Sequence, residues 1–282
     1  MTDVVAPNPA VALPPRTGLL LRMIPATSYV GRARTLVQRA LLTNSRSWLP
    51  LLSGFFEPVF YLLALGVGFG RLVGQVTGPT GAAISYTAFV APALLASSAM
   101  NGAVFDATFN IFHKLKYVKL YDSILATPLG PVDITFGEIS WALLRGALYS
   151  VGFLTVMAVF GLITTPWALL AFPAAVLIAL AFAAVGMGAT TFMRSWQDFD
   201  LVNITILPMF FFSTTFYPLS VYPRWLQIVV ECLPLYQGVA MMRALTVGGV
   251  DAGLLGHVAY FVVMTVIGGV VAGKRLRTLL LK

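Results

Sequence analysis

Six apolar stretches run through this chain, at about 49–69, 86–105, 139–162, 167–191, 201–219 and 254–273. An α-helix needs about 20 apolar residues to cross the hydrocarbon of a bilayer, and each stretch reaches that length. Residues are 59% hydrophobic and 10% charged, whereas soluble domains carry about 25% charged residues. No soluble core hides that much apolar surface. Within lipid only helices and closed barrels satisfy their own backbone groups. The runs here are continuous rather than alternating, so helices are expected. The predicted fold is an all-α integral membrane protein with six transmembrane helices. Residues 1–48 form a cytoplasmic tail with an amphipathic interfacial helix, and 49–282 form the transmembrane domain.

The net charge of +8 would raise the question of nucleic acid in a soluble protein. Here the charges flank the apolar runs, so they report membrane orientation and no nucleic-acid partner is expected. An even number of spans puts both termini on one side, and Lys and Arg accumulate in the cytoplasm. Fourteen of the 18 basic residues fall in segments on the side of the termini, and three, Arg71, Arg224 and Arg243, on the other. Arg145 lies inside the third span. Both termini are therefore expected in the cytoplasm and the chain in the cytoplasmic membrane. The Pro- and Ala-rich residues 1–16 carry no hydrophobic core of a signal peptide, and the single Cys232 allows no internal disulfide.

Three segments outside the spans are not ordinary loops. Residues 29–48 place Arg32, Arg39 and Arg46 seven apart among Val30, Leu36, Val37, Ala40 and Leu41, which fits a basic helix on the headgroups or a positive flank that sets topology. Residues 107–127 repeat Phe112, Leu115 and Val118 at helical spacing, with Lys114, Lys116, Tyr117, Lys119 and Tyr121 as a wet face. A half-exposed helix there calls for a docking partner or an interfacial position. Thr135 and Glu138 read as a capping box for span three. Residues 220–251 are too apolar for a free loop and too broken by Pro223 and Pro234 to span, so two short external re-entrant helices are expected.

Chemistry-bearing residues are few. Glu57 lies deep in span one, where a charged carboxylate costs roughly 2.5–3.5 kcal/mol on insertion scales; a place on a transport path and a structural hydrogen bond both account for it. Glu138 and Arg145 share a helix face two turns apart, too far for a direct pair. Residues 268–274 match the G-x-x-x-x-G-K phosphate-loop pattern, but Arg275 replaces the magnesium-binding hydroxyl and no strand precedes it. No ATP site is expected in this chain. Gly66 with Gly70 and Gly269 with Gly273 read instead as close-packing positions. His113 and His257 lie outside the hydrocarbon centre and support no metal site. Aromatic clusters at Phe55, Phe56, Phe60 and Tyr61 and at Phe210, Phe211, Phe212, Phe216 and Tyr217 suit either lipid and helix contact or a route for an amphipathic substrate. The path residues expected are Phe55, Phe56, Glu57, Phe60, Phe211, Phe212, Phe216 and Tyr217.

Glu57 and Pro58 followed by YLLALGVGFG, then YTAFVAPALLASSAM at 86–100, GPVDITFGEISWA at 130–142 and the stretch 216–245 occur in an order and spacing that resembles the ABC-2 class of ATP-binding-cassette permeases. Within it the resemblance is to the NodJ-type branch of lipo-oligosaccharide and drug exporters. That resemblance implies a non-enzymatic permease paired with a second permease copy, identical or not, and with separate ATPase subunits that hold ATP and magnesium. It implies that 107–127 is the coupling helix, with Phe112, Lys114, Leu115, Lys116, Tyr117, Val118, Lys119 and Tyr121 toward the ATPase. A secondary transporter or channel working without ATP is the competing reading. A membrane enzyme is a third, and Arg194, Asp198 and Asp200 are its nearest approach to a catalytic cluster.

Overall fold

The structure, a computed structural model, describes residues 36–39, 56, 59–127 and 129–280. It is mostly helical. Among the described residues four helices are long and apolar enough to cross a membrane: α2 (Tyr86–Lys116), α4 (Pro131–Val159), α5 (Pro166–Thr190) and α9 (Gly253–Leu280). The pair α7 (Arg224–Glu231) and α8 (Pro234–Val247), bent by 85°, makes a fifth if the two are one span. The shorter apolar helices are α1 (Val59–Val73) and α6 (Phe199–Phe212), and α3 (Leu120–Leu125) is a single short turn of helix. Phe55, Glu57 and most of the predicted amphipathic helix lie outside the described residues; 36–39 are helical.

Helix α5 is the central post because its sequence is built of small residues. A Cβ added at Gly146 of α4 would lie 2.9 Å from that of Ala179, and one at Gly186 of α5 would lie 3.1 Å from that of Ala107 in α2. A Cβ at Gly268 of α9 would lie 2.7 Å from the backbone nitrogen of Val185. Small side chains let backbones approach where lipid offers no hydrophobic drive between helices. The expected packing pair Gly66 and Gly70 does sit against Thr87. Gly269 and Gly273, in contrast, touch nothing within 4 Å. The contact belongs to Gly268, since a shift of one residue turns a helix position by about 100°.

Several boundaries differ from the sequence reading. Residues 75–85 are not a bare loop: β1 (Gln75–Thr77) and β2 (Ala83–Ser85) pair antiparallel, with Val76 opposite Ile84. Gly81 takes the positive φ of 79° in their turn. Helix α4 begins at Pro131, where Asp133 accepts a 2.9 Å hydrogen bond from the Gly130 N–H. Asp133 thus caps the helix, and Thr135, expected as the cap, donates to Pro131 O one turn inside. Helix α6 ends at Phe212 rather than continuing to 219, because Thr214 adopts φ 58°. Pro234 separates α7 from α8, as its position implied.

The connections segregate to two ends. Phe112 and Trp196 meet at one end, where Arg275 also lies over the Phe192 ring. At the other, Thr164 N–H bonds to Thr246 O, and Gly249 lies beside Pro79. At 1.5 Å per residue the 31 residues of α2 span roughly 46 Å, well beyond the roughly 30 Å of hydrocarbon.

Candidate functional site

A groove of about 1530 Å³ runs between α1, α2 and α6. Its walls are chiefly apolar: Leu65 and Phe69 from α1, Leu94 and Phe105 from α2, Leu207 and Phe210 from α6. Polar lining comes from Ser97, Ser98 and Asn101, a ledge on α2, and from Asn203 on α6. Ser97 donates back to Ala93 O at 2.8 Å, which tethers its hydroxyl to the helix. Tyr61 and Phe210 approach across the groove with ring centroids 6.5 Å apart.

At one end the groove meets Arg145, whose guanidinium forms an ion pair with the carboxylate of Asp106. The pair sits where α2 widens into a π-helical segment, Asp106–Asn110. Such turns recur at functional positions and need outside partners for their backbone. Here Thr190 of α5 donates to Ala107 O at 2.9 Å. A similar widening in α1, Ala64–Phe69, is met by Thr87, whose hydroxyl donates to Gly66 O at 3.2 Å. Two turns beyond Arg145 along α4, Glu138 pairs with Lys114 at 2.7 Å. Helices α2 and α4 are thus joined by two ion pairs of opposite polarity. Glu138 and Arg145 do not pair with each other, in keeping with their spacing.

The segment 107–127 proves to be two pieces. Its first part continues α2 to Lys116, and Lys119 with φ 48° breaks the chain into α3. Phe112 and Tyr121 are buried, Lys114 is engaged with Glu138, and Leu115 is half-buried. Lys116, Tyr117, Val118 and Lys119 form an exposed knuckle. Burial, with the Glu138 carboxylate nearby, pushes the Tyr121 phenol well above its ordinary value, so it stays protonated. In the α5–α6 connection Asp198 accepts from the N–H groups of Arg194 (2.6 Å) and Ser195 (3.2 Å). Those bonds hold its carboxyl below the ordinary range, and they account for Asp198 as a turn residue.

Of the expected path residues, Phe211, Phe216 and Tyr217 line the groove, and Phe212 faces a second groove behind α6. The Phe56 and Phe60 rings lie 5.9 Å apart at a tilt of 31° and line neither. The ledge residues and the Asp106–Arg145 pair were not singled out as a site. Their signal was Ser97, Ser98 and Asn101 at near-helical spacing inside an otherwise apolar span.

Residues 32–247 match the ABC-2 type transporter family. The chain belongs to that family. Among curated relatives, nodulation protein J of Rhizobium leguminosarum bv. viciae is 32% identical over 82% of this chain and 88% of its own length. Nodulation protein J of Rhizobium leguminosarum bv. trifolii is 33% identical over 82% and 87%, and that of Sinorhizobium fredii 30% identical over 77% and 81%. The ABC-2 chain is therefore a membrane-spanning permease component of a transporter. In this ABC-2 permease α2 carries both a wall of the groove, along residues 86–109, and the knuckle that follows it.

Proposed function

We propose that the chain is the permease subunit of an ATP-driven exporter that crosses the cytoplasmic membrane six times with both termini inside. Its cargo is an amphipathic molecule: a lipid-linked saccharide, a glycolipid or a drug. The observation that carries this reading is the groove, whose apolar walls suit a hydrocarbon tail and whose Ser97, Ser98, Asn101 and Asn203 side chains offer hydrogen bonds to a polar head. Among the described residues the strongly charged group along it is Arg145, which is already neutralised by Asp106. Helix α1 leaves Phe60 and Leu72 exposed, and a second permease copy covering them fits the family.

The phosphate-loop pattern at 268–274 lies within helix α9, which supports an energy source outside this chain. A separate ATPase holding ATP and magnesium supplies it and docks on the 107–127 segment, whose exposed knuckle carries two lysines and a tyrosine. Leu115→Asp and Tyr117→Asp are expected to weaken co-purification of the ATPase or to uncouple hydrolysis from export, with membrane insertion unchanged. Wild-type co-purification, stimulated hydrolysis and export in both variants would remove the segment from this role. For topology, a reporter fused after Lys282 should read cytoplasm and one inserted near Gly78 should read exterior; both reading the same side would sink the six-span arrangement.

The buried Asp106–Arg145 pair gives one observation in favour of an ion-coupled carrier. Export that survives deletion of the ATPase and stops when the proton gradient is collapsed would favour that second reading.

A further inference from the structure

Helix α6 lines two grooves with its two faces. Asn203, Leu207 and Phe211 line the first, while Leu201, Thr205 and Phe212 line the second, of about 1160 Å³, which is closed by parts of α5, α7 and α9. Of the 14 residues of α6 only Phe199 and Met209 are buried. Dense packing resists displacement, since a packed interior leaves no free volume to move into. Within the chain, helix α6 lacks that packing along its length and has a groove on each side.

Its ends, by contrast, are fastened. At the outer end Ser213, Thr214 and Thr215 are buried and Arg243 holds Thr214 O at 2.9 Å. At the inner end Phe199 joins an aromatic cluster centred on Trp196. The Trp196 ring lies 5.3 Å from Phe199, 5.0 Å from Phe109, 5.2 Å from Phe112 and 5.5 Å from Tyr117. The exposed knuckle of α2 and the root of α6 are therefore one aromatic assembly. The same end of α2 is bound to α4 by the Lys114–Glu138 and Asp106–Arg145 pairs, but α4 is wedged against α5 at Gly146. A displacement of the knuckle meets a stiff neighbour in α4 and a compliant one in α6.

We infer that α6 is a movable partition that trades volume between the two grooves, and that Trp196 is the positioning residue through which the knuckle moves it. This rests on the export reading above and adds to it the element that moves and the joint that moves it. A packed cluster with two arrangements, biased by a partner at one end, is what coupling over this distance requires.

The experiment uses the full chain in membranes with its ATPase, in a Cys232→Ser background carrying Asn203→Cys or Thr205→Cys. Labelling rates with a fluorescent maleimide are compared in the nucleotide-free complex and after trapping with ATP and vanadate. On trapping, the two positions are expected to change in opposite directions by about fivefold or more. Trp196→Ala should abolish the change and uncouple hydrolysis while the ATPase still co-purifies, and Trp196→Phe should restore both. If Trp196→Ala does not accumulate, Phe199→Leu, which removes the arm of the cluster that α6 contributes, is read in its place and should also abolish the change while the ATPase still co-purifies. The inference is overturned if the two positions rise and fall together, or if the cluster variant keeps the nucleotide response. Failure of the wild-type chain to bind any ATPase would remove the export reading and this inference with it; a wild-type complex with cluster-independent labelling removes only the role of α6 and Trp196.

Discussion

Arg145→Ala is expected to lower stability by about 3–5 kcal/mol, since removal of one partner leaves the other as an uncompensated buried charge. The partner left behind is Asp106, whose side chain is 2% exposed. Asp106→Ala should be milder, because Arg145 lines the groove and its guanidinium can turn toward it. Replacing both by Ala should recover most of the loss, as neutralised pairs commonly do. A double-mutant cycle on thermal unfolding in detergent separates the pair from the packing of each side chain. The pairing account fails if the double variant is as unstable as the sum of the single ones. Export is the second readout: the pair stands between the groove and the Lys114–Glu138 contact, so the double variant is expected to insert and bind the ATPase yet transport poorly.

Arg243→Met should have an effect of comparable size at the opposite end. The Arg243 guanidinium donates to Phe89 O at 3.2 and 3.3 Å and to Thr214 O at 2.9 Å, and it lies 3.8 Å from the centre of the Phe89 ring. It thereby ties α8 to α2 and to the turn that ends α6. Methionine fills similar space but removes the side-chain donor of the buried Thr214 carbonyl, at about 1–3 kcal/mol, together with the Phe89 contacts. Arg243→Lys keeps the charge but not the planar fork or the stacking, so an intermediate loss is expected. Hydrogen exchange and proteolysis near 213–218 should rise in the order wild type, Lys, Met. A Lys variant indistinguishable from wild type would show that charge alone suffices there.

Arg243 also marks a limit of reading by position. In the charge count it stands as one of three basic residues on the external side, yet it is buried and bonded to two carbonyls of other elements. Nothing adjacent in sequence reveals Phe89 or Thr214 as its partners. Trp196 is similar: it occupies a short polar connection, and only the arrival of Phe109, Phe112 and Tyr117 from α2 makes it the centre of a cluster. Phe112 and Tyr121, read as part of a docking face from their spacing, turn inward because α2 continues to Lys116 and the chain breaks at Lys119.

Hydropathy is a property that adds up along the chain, so the sequence alone determined that this is a helical membrane protein. It also located the breaks at Pro223 and Pro234 and carried the order of motifs that marks the ABC-2 type transporter family. Which residues meet across helices is decided by the rotation and register of each helix, and one residue of shift moves a contact from Gly269 to Gly268. The π-helical turns at 64–69 and 106–110 add such shifts with no local period to betray them. Only the tertiary structure could therefore bring Asp106 to Arg145, Lys114 to Glu138 and the Ser97, Ser98 and Asn101 ledge to the wall of a groove.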